Sequence, residues 1–145
     1  DWETAKAKER GTTGEVRTLD GVALGLPALL RALKLQKRLS RVGFDWGATG
    51  PVLEKLVEEV HELEAAENAD EKEDEFGDLL FVMVNLARHW GIDPEAALRR
   101  TNAKVERRFA DVEDRLNAQD RTPKEATLEE MDALWTAAKM GEKDN

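Results

Sequence analysis

Apolar side chains recur at the three- and four-residue spacing of an α-helix along most of this chain. Leu26, Leu29, Leu30 and Leu33 begin the first such stripe, and similar stripes follow to about residue 140. This spacing places the apolar residues on one face of each helix, where they can be buried together. The sequence contains neither the alternating pattern of a half-buried strand nor an Asn-Gly hairpin turn. It therefore predicts an all-α fold of four to five helices.

Residues typical of helix ends separate these stripes. Asp93 followed by Pro94 gives an N-cap with proline at the first helical position, so a helix is expected to begin there. Gly91 is expected to end the preceding helix, because glycine readily takes the left-handed conformation found just after a helix. Thr127 and Glu130 have the spacing of a capping box for a last helix.

The expected domain organisation has three parts. Residues 1–25 form an N-terminal segment or linker, residues 26–141 form one helical domain, and residues 142–145 are a tail. A length of 145 residues is enough for one domain with an adequate core. Because the chain begins with Asp1 and not with Met, we expect a fragment of a longer protein or a processed chain.

The excess negative charge lies in one short stretch. Residues 54–78 contain twelve acids and two bases, whereas the whole chain has a formal net charge of −9. The remainder of the chain is therefore nearly neutral. A protein that binds the nucleic-acid backbone would normally be basic, so that class is disfavoured. The acidic stretch either binds cations or is a solvated surface.

Several other classes are excluded by composition and motif. The chain has no cysteine, which excludes disulfides, zinc–thiolate sites and cysteine nucleophiles. Its longest uncharged run, residues 21–30, is too short to span a bilayer, and no signal peptide is visible. His61-Glu62 begins a zincin-like motif, but Ala65 stands where the second histidine is needed. We expect a soluble, cytoplasmic protein in which His61 and His89 are structural or surface groups.

Two pairs of acids have a spacing that suits a metal site. Glu59 and Glu62 are three residues apart on one predicted helix, as are Glu75 and Asp78 on the next, so each pair shares a helix face. Glu75 also falls within the apolar arc of its helix, where an unpaired carboxylate is costly. Mg²⁺ suits such a cluster, because it prefers oxygen ligands and leaves positions for water and phosphate. Alternatively, these acids form a solvated helix face with Glu75 favoured by the helix dipole.

These acids, written Glu-Glu-x-x-Glu and Glu-x-x-Asp, resemble the signature of the MazG family of nucleoside triphosphate pyrophosphohydrolases. The first motif starts at Glu58 and the second at Glu75. The surrounding text is also similar, namely DEFGDLLFVMVNLARHWGIDPEAALRRTNAKVERRF (residues 74–109) and SRVGFDW (residues 40–46). The similarity extends over residues 27–140. It implies an all-α, MazG-like bundle of four to five helices that dimerisation completes.

The resemblance implies Mg²⁺-dependent hydrolysis of an NTP or dNTP between its α- and β-phosphates, with Mn²⁺ as a substitute metal. The products would be a nucleoside monophosphate and pyrophosphate, in a nucleotide-pool housecleaning role. Glu58, Glu59 and Glu62 would be the catalytic residues, with Glu58 activating or orienting the attacking water. The metal would be held by Glu59, Glu62, Glu75 and Asp78.

The resemblance also implies residues that bind the nucleotide. Lys104 and Arg108, four residues apart on one helix face, would contact the phosphates, and Lys55 would lie at the edge of the site. Trp135 would stack on the base, which stabilises binding with little base preference. The alternatives are a solvated basic face for the two cations and core packing for Trp135. Asn85 and Asn102 are weaker candidates, expected on interior helix faces and near the nucleotide. Trp46 and Trp90 are expected in the core.

The family is usually dimeric, and its bacterial members often carry two such domains in tandem. This chain would then be a C-terminal copy, and we expect a homodimer, because residues 79–86 make the third helix apolar nearly all round. A dUTP- or dCTP-selective pyrophosphatase or a phosphoribosyl-ATP pyrophosphohydrolase belongs to the same superfamily. The alternative from another class is a catalytically silent helical module that binds metal, nucleotide or a partner protein. A silent copy would be expected to have lost one of the four metal-binding acids, and all four are present.

Overall fold

A computed structural model describes residues 17–45 and 49–143 of this chain. The chain divides into two compact units, Asp1–Glu95 and Ala96–Asn145, and each is described by itself. The predicted core position of Trp46 lies outside the described residues. Within them the secondary structure is all helical, as predicted, with a short 3-10 helix at Pro123–Glu125. The α-helices are α1 (Ala28–Arg41), α2 (Thr49–Ala65), α3 (Ala69–His89), α4 (Pro94–Asn117) and α5 (Leu128–Lys143).

The predicted helix ends are confirmed by their hydrogen bonds. Asp93 accepts the backbone N–H of Glu95 at 3.0 Å just where α4 begins. Gly91 follows α3 with a φ of +69°, a conformation that costs glycine little. Thr127 Oγ1 accepts the backbone N–H of Glu130 at 3.1 Å, which caps the start of α5. Local capping chemistry therefore accounts for where these helices start and stop.

The first unit is organised around α3, which packs against both α1 and α2. Val52 on α2 and Val84 on α3 are almost completely buried, and Leu33 on α1 is also buried. The link between α2 and α3 is short, so the two helices are neighbours along their lengths. This arrangement brings the acidic surfaces of α2 and α3 together.

The second unit has its own buried residues and ion pairs. Val112 and Leu116 on α4 and Ala138 on α5 are buried. Arg108 on α4 forms a salt bridge with Glu142 near the end of α5. This pair links positions that are 34 residues apart in the sequence. The unit is thus held by apolar burial and by a charged contact.

Several residues of the apolar stripes lie on exposed helix faces. On α3, Phe76, Leu80 and Met83 are 51%, 41% and 51% exposed, whereas Val82 and Val84 are buried. The prediction that Trp90 lies in the core is wrong, since its side chain is exposed. Similar exposed apolar positions on α2 and α4 are Leu53, Val57, Val60, Leu98, Val105 and Phe109.

The described helices also bear on the membrane question. In residues 17–45 and 49–143, none of the helices combines the length and apolar character needed to cross a bilayer.

Candidate functional site

The acidic site of the first unit is built where α2 and α3 run side by side. Asn68 precedes α3, and its side-chain oxygen accepts the backbone N–H of Glu71 at 2.9 Å, which sets the start of the helix. Glu59 and Glu62 project from α2, and Glu75 and Asp78 project from α3. The short link between the helices therefore brings two sequence-adjacent acid pairs into one region.

Carboxylate oxygens from the two helices approach closely in two overlapping groups. One group contains Glu59, Glu62 and Glu75, and the other contains Asp74, Glu75 and Asp78. Within each group, one oxygen per residue lies within 4.8 Å of the others, and Glu75 belongs to both groups. The four predicted metal ligands are thus brought together. Asp74 was missed, although its position directly before Glu75 in the acidic stretch was a signal for it.

Two of these carboxylates have oxygens that are shielded from solvent. Glu59 is only 4% exposed, and its Oε2 has no hydrogen-bond partner within the described residues. Glu75 is half-buried, and its Oε2 is likewise shielded and has no hydrogen-bond partner within the described residues. Glu59 therefore lies within the buried surface of α2. A buried carboxylate oxygen without a donor is costly unless a cation satisfies it.

The pKa values of Glu75 and Asp78 are both raised, as expected where carboxylates outnumber cations. Shielding from solvent, with the neighbouring carboxylates of Glu62 and Glu59, raises the pKa of Glu75 to about 7. The pKa of Asp78 is also raised, mainly by shielding and then by the charges of Asp74 and Glu59. Both shifts disfavour the ionised form, because too much negative charge is collected with too little solvent to screen it.

Lys55 is the cation that this part of the structure places against the acids. Its Nζ lies 3.2 Å from Glu59 Oε1 and 3.5 Å from Glu58 Oε1. The hydrogen bond to Glu59 is the main reason that the pKa of Lys55 is raised, so this group remains an ammonium. Glu58 is 56% exposed at its side chain and shares the Lys55 ammonium with Glu59. One ammonium does not balance the five carboxylates of the two groups.

The donor set fits a hard divalent cation. All its atoms are carboxylate oxygens from two adjacent helices, and two of them are shielded and unpaired. Mg²⁺ and Mn²⁺ prefer oxygen ligands of this kind, whereas zinc favours nitrogen and sulfur. The arrangement can therefore hold a divalent cation while exposed members of the group face solvent.

The predicted nucleotide-binding residues of α4 and α5 lie in the second unit. Arg108 is mostly buried and lies beside Trp135, with its Cζ 5.7 Å from the centre of the indole ring. Its Nε is 3.1 Å and its Nη2 3.0 Å from Glu142 Oε2. Lys104 is half-buried one turn earlier on α4. Arg108 and Trp135 are thus brought together.

Glu142 was missed as a site residue because the sequence placed it in a tail. It accepts a hydrogen bond from Arg107 at 3.1 Å as well as those from Arg108. These two guanidinium groups lower the pKa of Glu142 to about 2. The alternative of core packing for Trp135 gains no support from Leu128, seven residues earlier on α5, because Leu128 is 80% exposed. The α5 helix in fact continues to Lys143 and carries Glu142 to the arginines.

The two asparagines named as weaker candidates differ in position. Asn85 on α3 is 2% exposed, which confirms its interior position, whereas Asn102 on α4 is exposed. Asn85 Oδ1 accepts a hydrogen bond from Arg88 Nε at 3.0 Å. Only Asn85 therefore remains as an interior polar group.

Part of this chain matches a known protein family. Residues 50–112 match the family model described as the MazG nucleotide pyrophosphohydrolase domain. The match covers α2 and α3 with every acid of the two groups, and it extends into α4 past Lys104 and Arg108. Trp135 and Glu142 lie beyond it. The matched segment thus contains the whole acidic site. The prediction of an all-α fold is confirmed in the part of the chain that the structure describes.

Two curated relatives align over nearly all of this chain. A nucleoside triphosphate pyrophosphohydrolase of Escherichia coli (strain K12) is 43% identical over 99% of this chain and 56% of the relative. The nucleoside triphosphate pyrophosphohydrolase/pyrophosphatase MazG of Thermotoga maritima is 40% identical over 97% of this chain and 55% of the relative. The chain thus spans about half the length of these curated relatives. The expectation that it is a C-terminal copy is not borne out by these alignments.

Proposed function

We propose that this chain hydrolyses nucleoside triphosphates between the α- and β-phosphates, releasing a nucleoside monophosphate and pyrophosphate. Residues 26–141 would form the catalytic domain. The similarity to enzymes named as nucleoside triphosphate pyrophosphohydrolases supports the reaction class. The role would be housecleaning of the nucleotide pool in the cytoplasm, where such substrates are found.

The observation that carries this proposal is the shielded, unpaired carboxylate of Glu59 beside Glu62 and Glu75. A solvated acidic face would expose its oxygens to water, whereas Glu59 Oε2 and Glu75 Oε2 are shielded and lack donors among the described residues. A fold that keeps such groups in place must offset their cost. A bound divalent cation is the partner that this donor set favours.

Mg²⁺ is the proposed cofactor, with Mn²⁺ as a substitute, and Glu59, Glu62, Glu75 and Asp78 are the proposed ligands. A divalent cation held there would neutralise charge on the phosphate oxygens, which is the main requirement of phosphoryl transfer. Asp74 lies with Glu75 and Asp78 and is a further candidate ligand. The residues of the chain then need only position the nucleotide and the water.

Glu58 is proposed to orient or deprotonate the attacking water. Its side chain is more than half exposed and lies next to the buried acids, so it can contact solvent and substrate. Lys55 is proposed to bind a phosphate oxygen. A cation that binds Glu59 would replace the contact between Glu59 and Lys55 Nζ, and the ammonium would then be available to the substrate.

Lys104, Arg108 and Trp135 are proposed to bind the nucleotide. Arg108 presents the planar fork that pairs well with phosphate, and its position beside Trp135 brings a cation next to an aromatic surface. Trp135 is proposed to stack on the base. Glu142 holds the same guanidinium nitrogens that a phosphate would use, so substrate binding would replace Glu142 at Arg108.

A homodimer is proposed on the basis of the exposed apolar faces. Phe76, Leu80 and Met83 lie on one face of α3 at helical spacing, and all are at least 41% exposed. A second copy of the chain would bury such a face, because contiguous apolar surface of this kind commonly marks an interface. Sedimentation at micromolar concentration is expected to give a dimer. A stable, folded monomer at that concentration would contradict the proposal.

The activity is tested by identifying the products and the bond that is cleaved. The protein is incubated with a mixture of NTPs and dNTPs in oxygen-18 water, with Mg²⁺ or with EDTA. Ion-exchange chromatography identifies the products, and mass spectrometry locates the label. Attack at the α-phosphorus places the label in the monophosphate, whereas attack at the β-phosphorus places it in pyrophosphate.

The outcomes separate the hypotheses. Monophosphate and pyrophosphate that form only with the metal support the proposal. Nucleoside diphosphate and orthophosphate would show an enzyme of a different class. Nucleotide binding without turnover would favour the silent regulatory module, despite the complete set of acids.

A further inference from the structure

The two oxygens of the Glu59 carboxylate have different surroundings. Oε1 lies 3.2 Å from Lys55 Nζ, whereas Oε2 is shielded from solvent and has no hydrogen-bond partner among the described residues. The Glu59 side chain is 6% exposed and that of Lys55 is 34% exposed, so the ammonium reaches the carboxylate from the more exposed side. One carboxylate therefore binds a cation supplied by the chain and also lacks a partner at its other oxygen.

The charge of Lys55 acts on both helices of the acidic site. Shielding from solvent and the charges of Asp74 and Glu59 raise the pKa of Asp78, and the charge of Lys55 partly offsets that rise. Lys55 and Glu59 lie on α2, whereas Asp78 lies on α3. The ammonium is therefore a counter-charge for acids of both helices.

The contact between Lys55 and Glu59 can be exchanged for another. Glu58 Oε1 lies 3.5 Å from the same Nζ, and the Glu58 side chain is 56% exposed. A lysine ammonium ends a flexible stem and binds as a point charge, without the fixed geometry of a guanidinium. The ammonium can therefore leave Glu59 and stay close to Glu58, with no change in the backbone of the helix.

A divalent cation and this ammonium compete for the same carboxylate. A metal held by Glu59, Glu62 and Glu75 uses the negative charge of Glu59 that attracts Lys55. Two positive charges placed close together repel each other, and the repulsion is stronger where solvent is largely excluded, as it is around Glu59. Binding of the metal alone therefore costs the contact between Lys55 and Glu59.

A triphosphate removes this conflict. Its phosphate oxygens offer the ammonium a new charged partner, and their negative charge reduces the repulsion between the ammonium and the metal. The same lysine thus opposes a metal that arrives alone and favours a metal that arrives with phosphate. Such coupling is reciprocal, because each ligand changes the affinity for the other by the same factor.

We propose that Lys55 couples the binding of the divalent cation to that of the triphosphate, so that the site takes the metal–triphosphate complex in preference to either ligand alone. This inference rests on the proposed function for the metal site and for the identity of the anion. It gives Lys55 two partners in turn, Glu59 before the substrate binds and a phosphate oxygen afterwards.

A lysine with a merely structural role would behave differently when it is removed. If Lys55 only oriented Glu59, its loss would weaken the binding of the metal and of the nucleotide alike. Under the proposed coupling, its loss strengthens the binding of the metal alone and weakens the binding of the nucleotide in the presence of the metal. The opposite signs of the two effects distinguish the two roles.

The first measurement is the binding of Mn²⁺ alone, followed by the electron paramagnetic resonance of the free ion. Lys55→Met is expected to bind Mn²⁺ about fivefold more tightly than the unmodified chain, the scale of one ion pair near the surface. Lys55→Arg keeps a cation beside Glu59 and is expected to bind Mn²⁺ as the unmodified chain does. The control is Lys72→Met, which removes an exposed lysine of α3 and is expected to have little effect. Circular dichroism establishes that each variant is folded.

The second measurement is the calorimetric binding of α,β-methylene-ATP at saturating Mn²⁺. This analogue has a methylene group in place of the oxygen between its α- and β-phosphates, so it is not hydrolysed there. Lys55→Met is expected to bind it about tenfold more weakly, because a charged hydrogen bond is lost, whereas Lys72→Met is expected to bind it normally. Unchanged or weaker binding of Mn²⁺ alone by Lys55→Met would overturn the proposal, as would unchanged binding of the analogue.

The coupling and the proposed function fail in different ways. Hydrolysis between the α- and β-phosphates, with a Mn²⁺ affinity that Lys55→Met leaves unchanged, supports the proposed function and overturns the coupling. Tighter binding of Mn²⁺ and weaker binding of the analogue by Lys55→Met, without turnover of any triphosphate, support the coupling and overturn the proposed hydrolysis. Absence of Mn²⁺ binding in both the unmodified chain and Lys55→Met overturns the metal site and the coupling together.

Discussion

Two carboxyl groups with the same ordinary pKa of 4.5 are shifted in opposite directions in this chain. The pKa of Glu75, on α3, is raised to about 7, and that of Glu142, on α5, is lowered to about 2. Glu75 is surrounded by other carboxylates, whereas Glu142 lies between two arginines. The difference shows that the acidic group of the first unit lacks positive charge, while Glu142 is amply paired.

This comparison separates a charged group that lacks a partner from one that already has its partner. The acids of the first unit are arranged for a cation that the chain itself supplies only in part, through Lys55. The arginines of the second unit are already paired, with a carboxylate in the position proposed for a phosphate. Metal binding would thus relieve a repulsion, whereas nucleotide binding would exchange one anion for another.

The comparison is tested most severely by removing charge from the acidic group. Glu59→Gln and Asp78→Asn are each expected to lower turnover by more than about 100-fold, because loss of partners outside the ligand shell alone costs about 10–100-fold. The fold should remain intact, since each change removes charge from a repulsive cluster. Steady-state hydrolysis and circular dichroism measure the two effects.

Glu64→Gln is the matched control for these variants. Glu64 lies on α2 as well, is exposed, and pairs only with His61 among the contacts of its side chain in the described residues. Its replacement is expected to leave turnover unchanged. Wild-type turnover in either Glu59→Gln or Asp78→Asn would rule out the proposed metal site.

Removing Arg108, which pairs with Glu142 in the second unit, should have the next largest effect. Arg108→Gln is expected to lower kcat/KM by about 10–100-fold, mostly through a higher KM, because charged hydrogen bonds are worth about 1.5–3 kcal/mol. Arg115→Gln is the control, since Arg115 is on the same helix and pairs with Asp111. An equal loss in both variants would indicate a general effect of charge and not a phosphate contact.

The cation deficit also predicts how Mg²⁺ and pH act on stability. The pKa of Glu75 is about 7 in the folded protein against 4.5 ordinarily, so the folded state retains this proton longer than the unfolded chain. The metal-free fold should therefore lose stability as the pH rises from 4.5 to 7, with the full loss above 7. Mg²⁺ should reverse the loss, with about 2.7 kcal/mol at a concentration 100 times its Kd.

Thermal unfolding at pH 6 and pH 8, with EDTA or with Mg²⁺, measures both effects. The rise in Tm with Mg²⁺ should be several degrees and larger at pH 8, because protons compete with the metal at pH 6. Glu75→Gln should remove most of this pH dependence. Equal stabilisation by Mg²⁺ at both pH values would contradict the role of Glu75.

The acidic group was largely predictable from the sequence, because its information is local. Three-residue spacing within a helix and a short link between helices were enough to bring Glu59 and Glu75 together. The degree of burial was less predictable, since Glu59 is shielded by packing that its own helix does not specify. Which apolar faces of α3 are exposed was also not predictable, because periodicity shows that a face is apolar and does not show what covers it.

The contacts that the sequence could not predict connect distant positions. Glu142 reaches Arg108 across 34 residues, and the Gln36 amide meets the Phe81 carbonyl across 45 residues. Neither contact has a spacing rule, because each depends on how helices pack. The orientation of a buried amide such as that of Gln36 likewise follows only when its neighbours are known.

The smallest predicted effect tests whether Glu142 occupies the phosphate position. Glu142→Gln should lower KM by about two- to fivefold, because the substrate no longer displaces a charged partner from Arg108 and an ion pair near the protein surface contributes only up to about 1 kcal/mol. Acidification cannot substitute for this change, since the pKa of Glu142 is about 2 and the carboxylate stays ionised at working pH. Glu129→Gln, an exposed acid on the same helix, is the control. A higher KM in Glu142→Gln alone would mean that Glu142 positions Arg108 for the substrate, and the two units would then differ less than the comparison claims.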